Sequence, residues 1–524
     1  MSFRLAAALV AAGAVALPLA AVEAKTFKVA NQGDMQTADP HGLFETTTLM
    51  FQGNLYEPLV KVAKDLSIAP GLAESWKQTD ANTWVFSLRK GVKFHDGTPF
   101  TADDVVFSFD RARSPGSDLK TPLATIESYR KTDDFTVEVR TKAPNPILTR
   151  ELPFLYIMSK AWAEKNTAIE PMDVRKKQEN YATRNANGTG PFMLKDRQAG
   201  VRTVFVPNPN WWGKAEHNIT EAIFTPIGND ATRVAALLAG DIDMMEPVPI
   251  QDAERVKATA GRKVMQGPEL RTIFLGMDQA RDELLESNVK GKNPFKDVRV
   301  RKAFFQAIDI EAIRRTVMRG ASSPAALMIG PGINGFDAGQ NTRAPFDVDA
   351  AKKLLAEAGY PNGFEVGMDC PNDRYVNDER ICQAVVGMLA KAGITVKLHA
   401  QSKTTYFTKI LSRNTSFYLL GWTSSSYDAH NPLISLVHTP ATGRGNFNLG
   451  GYSNKRVDQL IDLIQVETDA GKRNGMIKEA FQLHKDEYGH IPLHQQALAW
   501  GMKDNIDVFQ RADNVMMLEW VTVK

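Results

Sequence analysis

An α/β chain of several domains is what this sequence predicts, and three observations carry the prediction. Strand and helix patterns alternate through the C-terminal half, strands of period two separated by turn residues dominate the N-terminal third, and the composition is globular. The 524 residues are 43% hydrophobic and 23% charged, which at roughly 150 residues per domain suggests about three domain-sized units.

Arg4 opens the chain, Leu5 to Val22 is an uncharged Ala/Leu/Val stretch, and Val22-Glu23-Ala24 places small residues where a signal peptidase cuts. Residues 1–24 therefore read as a cleaved signal peptide, and the mature chain as exported. Thr26 to Asn31, Asn82 to Leu88 and Phe135 to Arg140 alternate apolar and polar residues as half-buried strands do, with turn signals at Asp96-Gly97 and Pro144-Asn145-Pro146. Asp103 and Asp104 follow Thr101 and fit a helix N-terminus, where carboxylates stabilise exposed amides. Gly188-Thr-Gly-Pro191 reads as a turn, and His95, beside Asp96-Gly97, as a hydrogen-bonding structural histidine. Asp230 to Leu238 predicts a helix with Asp230 as its cap and Gly240 as its stop.

From about residue 297 the period alternates. Asp297 to Ile308 and Asp349 to Ala358 are helical, Phe364 to Asp369 is a strand, Asp378 to Ala392 a helix, and Ile394 to Ala400 a strand. Residues 364–400 thus form a βαβ unit with parallel pairing, and Phe417 to Trp422 adds a buried strand. Open parallel sheets bind ligands beyond the carboxyl ends of their strands, here after Asp369 and after Gly421. Cys370 and Cys382 are too few for a disulfide scaffold, and spacing leaves open whether they pair or stay as thiols.

Sixty-three Lys and Arg against 60 Asp and Glu give a net charge of +3 with no basic stripe, which argues against nucleic acid as a partner. The sequence contains no phosphate-loop, HExxH, CxxC or GxSxG motif. His490 and His494 have helical metal-ligand spacing, but Pro492 between them predicts extended chain, so neither a metal nor another cofactor is expected. An exported hydrolase would need a nucleophile or metal with a positioned base, and a sensory or chaperone-like receptor would share a binding cleft without import.

Leu55-Tyr-Glu-Pro-Leu-Val60, Leu72-Ala-Glu-Ser-Trp76, Leu88 to Gly97, Thr101 to Ser108, Gly188 to Phe192, Arg233 to Gly240, Val298 to Ala303 and Ala351 to Gly359 together resemble the extracellular solute-binding proteins of family 5, the dipeptide/oligopeptide type. In order and spacing these motifs span nearly the whole mature chain. The resemblance implies a two-lobed periplasmic binding protein type II fold with an extra inserted subdomain in the first lobe. It makes residues 25–58, 190–272 and 498–524 the first lobe, 59–189 the insertion and 273–497 the second lobe, with hinges near Arg271 to Phe274 and Ala497 to Trp500. It also implies a monomeric, non-enzymatic receptor of an ABC importer that delivers a short peptide or other small carboxylate-bearing solute to inner-membrane permease and ATPase subunits.

Arg374 matches the arginine that anchors the ligand carboxylate in peptide-binding relatives, a task suited to a guanidinium fork. Those relatives place an acid three residues after the tryptophan of a Gly-Trp pair to hold the peptide amine, and here Ser425 stands there. A neutral hydroxyl cannot supply the charge a buried ammonium needs, which leaves Asp428 and Glu45 as substitutes. The expected site is completed by Trp422 for stacking, Thr423, Ser424 and Tyr427 from the same loop, and Phe44 and Thr46 on the opposing wall.

Overall fold

The computed structural model describes residues 25–173 and 179–524; the signal-peptide reading of residues 1–24 lies outside them. A mixed sheet of eleven strands extends through the molecule. Its order runs from Thr395–Gln401 through Glu365–Pro371, Phe417–Trp422, Arg262–Met277, Ile491–Lys503, Met244–Glu246, Thr26–Asn31, Glu221–Pro226 and Arg202–Pro207 to Phe192–Gln198, with Ser322–Pro324 paired off this path onto Ile491–Lys503. Among the described residues, no helix is long and apolar enough to cross a membrane.

The expected βαβ unit is present. Glu365–Pro371 pairs in parallel with Thr395–Gln401, with the Asp378–Lys391 helix between them, and Phe417–Trp422 pairs in parallel on the other side. Every residue of Phe417–Trp422 except Trp422 is buried, as a continuous apolar run in a covered strand requires. Phe295, Phe304, Phe364 and Phe417 pack edge to face and offset beneath this end of the sheet. Each ring contributes roughly 1.5–3 kcal/mol by leaving water. Cys370 and Cys382 are joined by a disulfide that ties the strand to the helix, which settles the pairing that spacing left open.

The opposite end of the sheet has its own core around Phe27, Phe51, Phe224 and Trp500. A separate four-stranded antiparallel sheet, in the order Ala73–Gln78, Thr83–Leu88, Thr136–Thr141, Ile126–Asp133, covers a further core containing Phe86, Phe94, Phe100 and Phe109. Both period-two strands read from the sequence in this region belong to it. The Ala102–Arg113 helix packs on the same core, its N-cap Thr101 and N3 residue Asp104 forming a capping box. The 230–239 helix is capped one residue earlier than the sequence suggested: the Asn229 side chain accepts the Thr232 N–H, and Asp230 is the first helical residue.

Gly188 and Gly190 must lack side chains, because a Cβ there would lie 2.0 Å from the Leu55 carbonyl oxygen or 2.6 Å from its carbon. That close approach lets His95 accept the Gly188 N–H at Nδ1 and donate from Nε2 to the Gly190 carbonyl. Burial pulls the His95 imidazole down to about 4, so it stays neutral and structural. His490 and His494 lie at the start of an extended segment, consistent with Pro492.

Two long antiparallel strands, Arg262–Met277 and Ile491–Lys503, connect the two ends of the sheet. Their ladder is interrupted between Pro268 and Thr272, leaving Glu269, Leu270 and Arg271 without a partner across it. The Leu270 N–H is donated instead to the Ala512 carbonyl at 3.0 Å.

Candidate functional site

The carboxyl ends of Glu365–Pro371 and Phe417–Trp422 open side by side, and the loops that follow them meet at Tyr375. The first loop is pinned by Asp378, whose carboxylate accepts the backbone N–H groups of Arg374, Tyr375 and Glu379, each at 2.9 Å. Tyr375 is thereby buried, with its hydroxyl donated to the Gly421 carbonyl at 3.4 Å. Gly421 has to be glycine, since a Cβ would lie 2.8 Å from the Tyr375 ring and 2.7 Å from Ile273.

Arg374 is exposed, and its Cζ stands 5.0 Å from the Tyr375 ring centre. Among the described residues its guanidinium makes no ion pair or hydrogen bond, only this ring contact. Partial burial and then the neighbouring Arg271 charge hold it below its ordinary value. Arg271 reaches the same ring, at 5.8 Å. Its Nε donates to Glu269 at 3.2 Å, and Gln496 donates to the other Glu269 oxygen.

Trp422 begins the second loop half-buried, with its Nε1 donated to Asn431 at 2.9 Å and its ring 4.8 Å from Phe447. Thr423 Oγ1 is buried without a partner among the described residues, and exposed Ser425 accepts from Asn431 Nδ2 at 3.4 Å. Arg374, Trp422, Thr423 and Ser425 therefore sit on two loops that touch.

Other expected contacts are committed elsewhere. Asp428 is fully buried, with both carboxylate oxygens on Arg473 at 2.8 and 2.9 Å and a further bond from Asn334. It is not placed to take over the amine-anchoring role, because a carboxylate neutralised by a bidentate guanidinium has no charge left to offer. Glu45 is likewise spent: it caps the Thr46–Gln52 helix, accepting from Thr47 N at 3.0 Å and from Thr48 N and Oγ1 at 2.9 Å. Thr46 is exposed on the first turn of that helix. Ser424 is buried, exchanging hydrogen bonds with the Asp428 backbone. Tyr427 is buried and adopts a left-handed backbone with φ of 52°, and its hydroxyl donates to Asp513 at 2.8 Å. Phe44 lies edge-on to Phe154 at 6.2 Å, and Phe154 stacks on Tyr427 at 6.3 Å, so an aromatic row links the two walls.

The sequence reading did not assign Glu269, Phe154, Asn431 or Gln496 to the site, and it named Arg271 only as part of a hinge. One signal for the charged pair was available: oppositely charged residues at i and i+2 of a strand share a face.

No group of three or more His, Cys, Asp or Glu side chains that could hold a metal occurs among the described residues. What remains among the described residues is a crevice with the unpaired Arg374 guanidinium, the Arg271 guanidinium held at its Nε by Glu269, a tryptophan and hydroxyls, suited to grip a small polar solute. Fold and site together define a binding protein. The family model for bacterial extracellular solute-binding proteins, family 5, matches residues 67–444, and the chain belongs to that family. Among curated relatives, the dipeptide-binding protein of Escherichia coli (strain K12) is 29% identical over 517 residues, covering 93% of this chain and 90% of that protein. Heme-binding protein A of Haemophilus influenzae is 27% identical over 469 residues, covering 84% of this chain and 81% of that protein. The solved structure of HbpA2 from Haemophilus parasuis, 23% identical, superposes with a TM-score of 0.82 over 95% of this chain and 100% of that one, which gives this chain the two-lobed binding-protein fold.

Proposed function

We propose that this protein is the periplasmic receptor of an ABC importer, which captures a short peptide or another small carboxylate-bearing solute and hands it unchanged to a membrane permease. Residues 25–58, 190–272 and 498–524 act as one lobe, 59–189 as a subdomain inserted in it, and 273–497 as the second lobe. The hinge lies near Arg271 to Phe274 and near Ala497 to Trp500 on the two long strands, and the ladder's register shifts at Pro268/Thr272 and Ile273/Phe274 support bending at the first of these.

The observation that carries this reading is the Arg374 guanidinium, unpaired at the carboxyl end of a parallel strand and beside the Trp422 loop. The name of the Escherichia coli relative, a dipeptide-binding protein, supports a solute with a carboxylate. The test is native mass spectrometry of the purified protein to recover its solute, followed by calorimetry with that solute. Arg374→Ala should weaken binding by about 1.5–3 kcal/mol. Unchanged affinity would remove Arg374 from the site, and a solute released in hydrolysed form would favour an enzyme.

A further inference from the structure

Arg271 has a place in the crevice that its position on a strand does not explain. It lies in the three-residue interruption of the long ladder, next to Thr272, which pairs with Trp422. Its side chain is largely buried, at 20% exposure, yet Glu269 takes only its Nε. Among the described residues neither Nη has a hydrogen-bond partner, and neither is among the buried unpartnered atoms, so both meet solvent. The fork that remains is the bidentate edge, the geometry that suits a carboxylate. Glu269 is held in turn by Gln496 on the neighbouring strand, so Arg271 is oriented from behind.

Among the described residues, most acids around the crevice are engaged within the protein, and exposed Asp373 accepts the Lys403 N–H. Glu269 has one oxygen on Arg271 and the other on Gln496, Asp428 is matched by Arg473, and Asp513 is matched by Arg511. Glu45 and Asp378 accept backbone N–H groups. Arg271 and Arg374 bring two guanidinium groups to the same Tyr375 ring, and among the described residues Glu269 is the one carboxylate in contact with either of them. A zwitterionic dipeptide would bury its amine unpaired, whereas an anion would neutralise the site.

We propose that Arg271 is a second anion anchor beside Arg374, set by Glu269 and Gln496, and that the solute class accepted here is net anionic, with an acidic or amine-blocked molecule preferred over a simple dipeptide. The inference rests on the receptor reading above and narrows its substrate. Because Arg271 sits in the ladder interruption, ligand charge is also coupled directly to the segment proposed to bend.

The experiment is calorimetry on the mature full chain, wild type, R271Q and R271K, with Ala-Ala, N-acetyl-Ala-Ala and succinate as probes, and urea midpoints recorded for each variant. The wild type should bind N-acetyl-Ala-Ala or succinate at least tenfold more tightly than Ala-Ala. R271Q should lose tenfold or more for the anionic probe, and R271K, which restores the charge but not the fork, should recover part of it. If R271Q does not fold, R271K alone should still weaken the anionic probe measurably. Ala-Ala bound as tightly as the anions, or R271Q and R271K indistinguishable from wild type, would overturn the inference while leaving a peptide receptor standing. A chain that binds none of the probes and yields no solute by native mass spectrometry would overturn both.

Discussion

Replacing Asp428 by alanine separates a structural acid from a ligand-binding one. In the folded protein the Asp428 and Arg473 side chains are 0% and 5% exposed, and their two bonds are 2.8 and 2.9 Å long. Truncation leaves a buried guanidinium with only its Nε bond to the Ile464 carbonyl. Removing one partner of such a pair costs about 3–5 kcal/mol, and the orphaned Asn334 amide and His430 N–H add to it. The expected loss is therefore about 4 kcal/mol, read as a lower urea midpoint, with circular dichroism and tryptophan fluorescence compared to detect lobes that unfold separately. Pairing Asp428→Ala with Arg473→Met should restore most of it, because a matched apolar pair avoids the uncompensated charge. Burial alone would raise the Asp428 carboxyl, but the hydrogen bonds and charge of Arg473 outweigh it and hold the group below its ordinary value. Its stabilising contribution is thus complete above the unfolded value of about 3.9 and disappears as the pH falls through the folded one. A stability change under about 1 kcal/mol together with lost solute affinity would refute the reasoning and return Asp428 to the binding site.

Three further outcomes are expected. Tyr427→Phe removes the hydroxyl bond to Asp513 and should cost about 1.5–3 kcal/mol, read as a lower urea midpoint; an unchanged midpoint would count against a structural role for that bond. Cys370→Ala with Cys382→Ala opens a loop of sequence separation 12 and should lower stability by about 3 kcal/mol, which reduction of the wild type should reproduce in denaturant titrations. Burial pushes the Glu57 carboxyl up to about 7, against hydrogen bonds from Trp212, Thr189 and Trp211. The folded state then holds a proton that the unfolded state releases near pH 4.3, so wild-type stability should fall relative to Glu57→Gln between about pH 4.3 and 7, by up to roughly 3 kcal/mol; parallel pH profiles for the two proteins would contradict it.

The sequence by itself determined several elements, the βαβ unit and the family, but not the two long strands Arg262–Met277 and Ile491–Lys503 or the helices Lys455–Val466 and Ala470–Asp486. Thr83–Leu88 and Asp378–Lys391 were legible because the period of apolar residues is a local property, decided by the pleat of a strand or the turn of a helix, and Phe417–Trp422 because an unbroken short apolar run marks a covered strand. The Arg374 loop was found by topology, since parallel pairing puts the strand carboxyl ends together wherever the rest of the chain goes. Which charges were already spent was decided only by tertiary structure. Asp428 meets Arg473 across 45 residues, Glu269 meets Gln496 across 227, and Tyr427 meets Asp513 across 86. Such partners are set by the register of distant strands and the packing of separate cores. A charged side chain therefore looks the same in the sequence whether it faces a solute or another arginine, and the difference emerges only when folding brings its neighbour within about 3 Å.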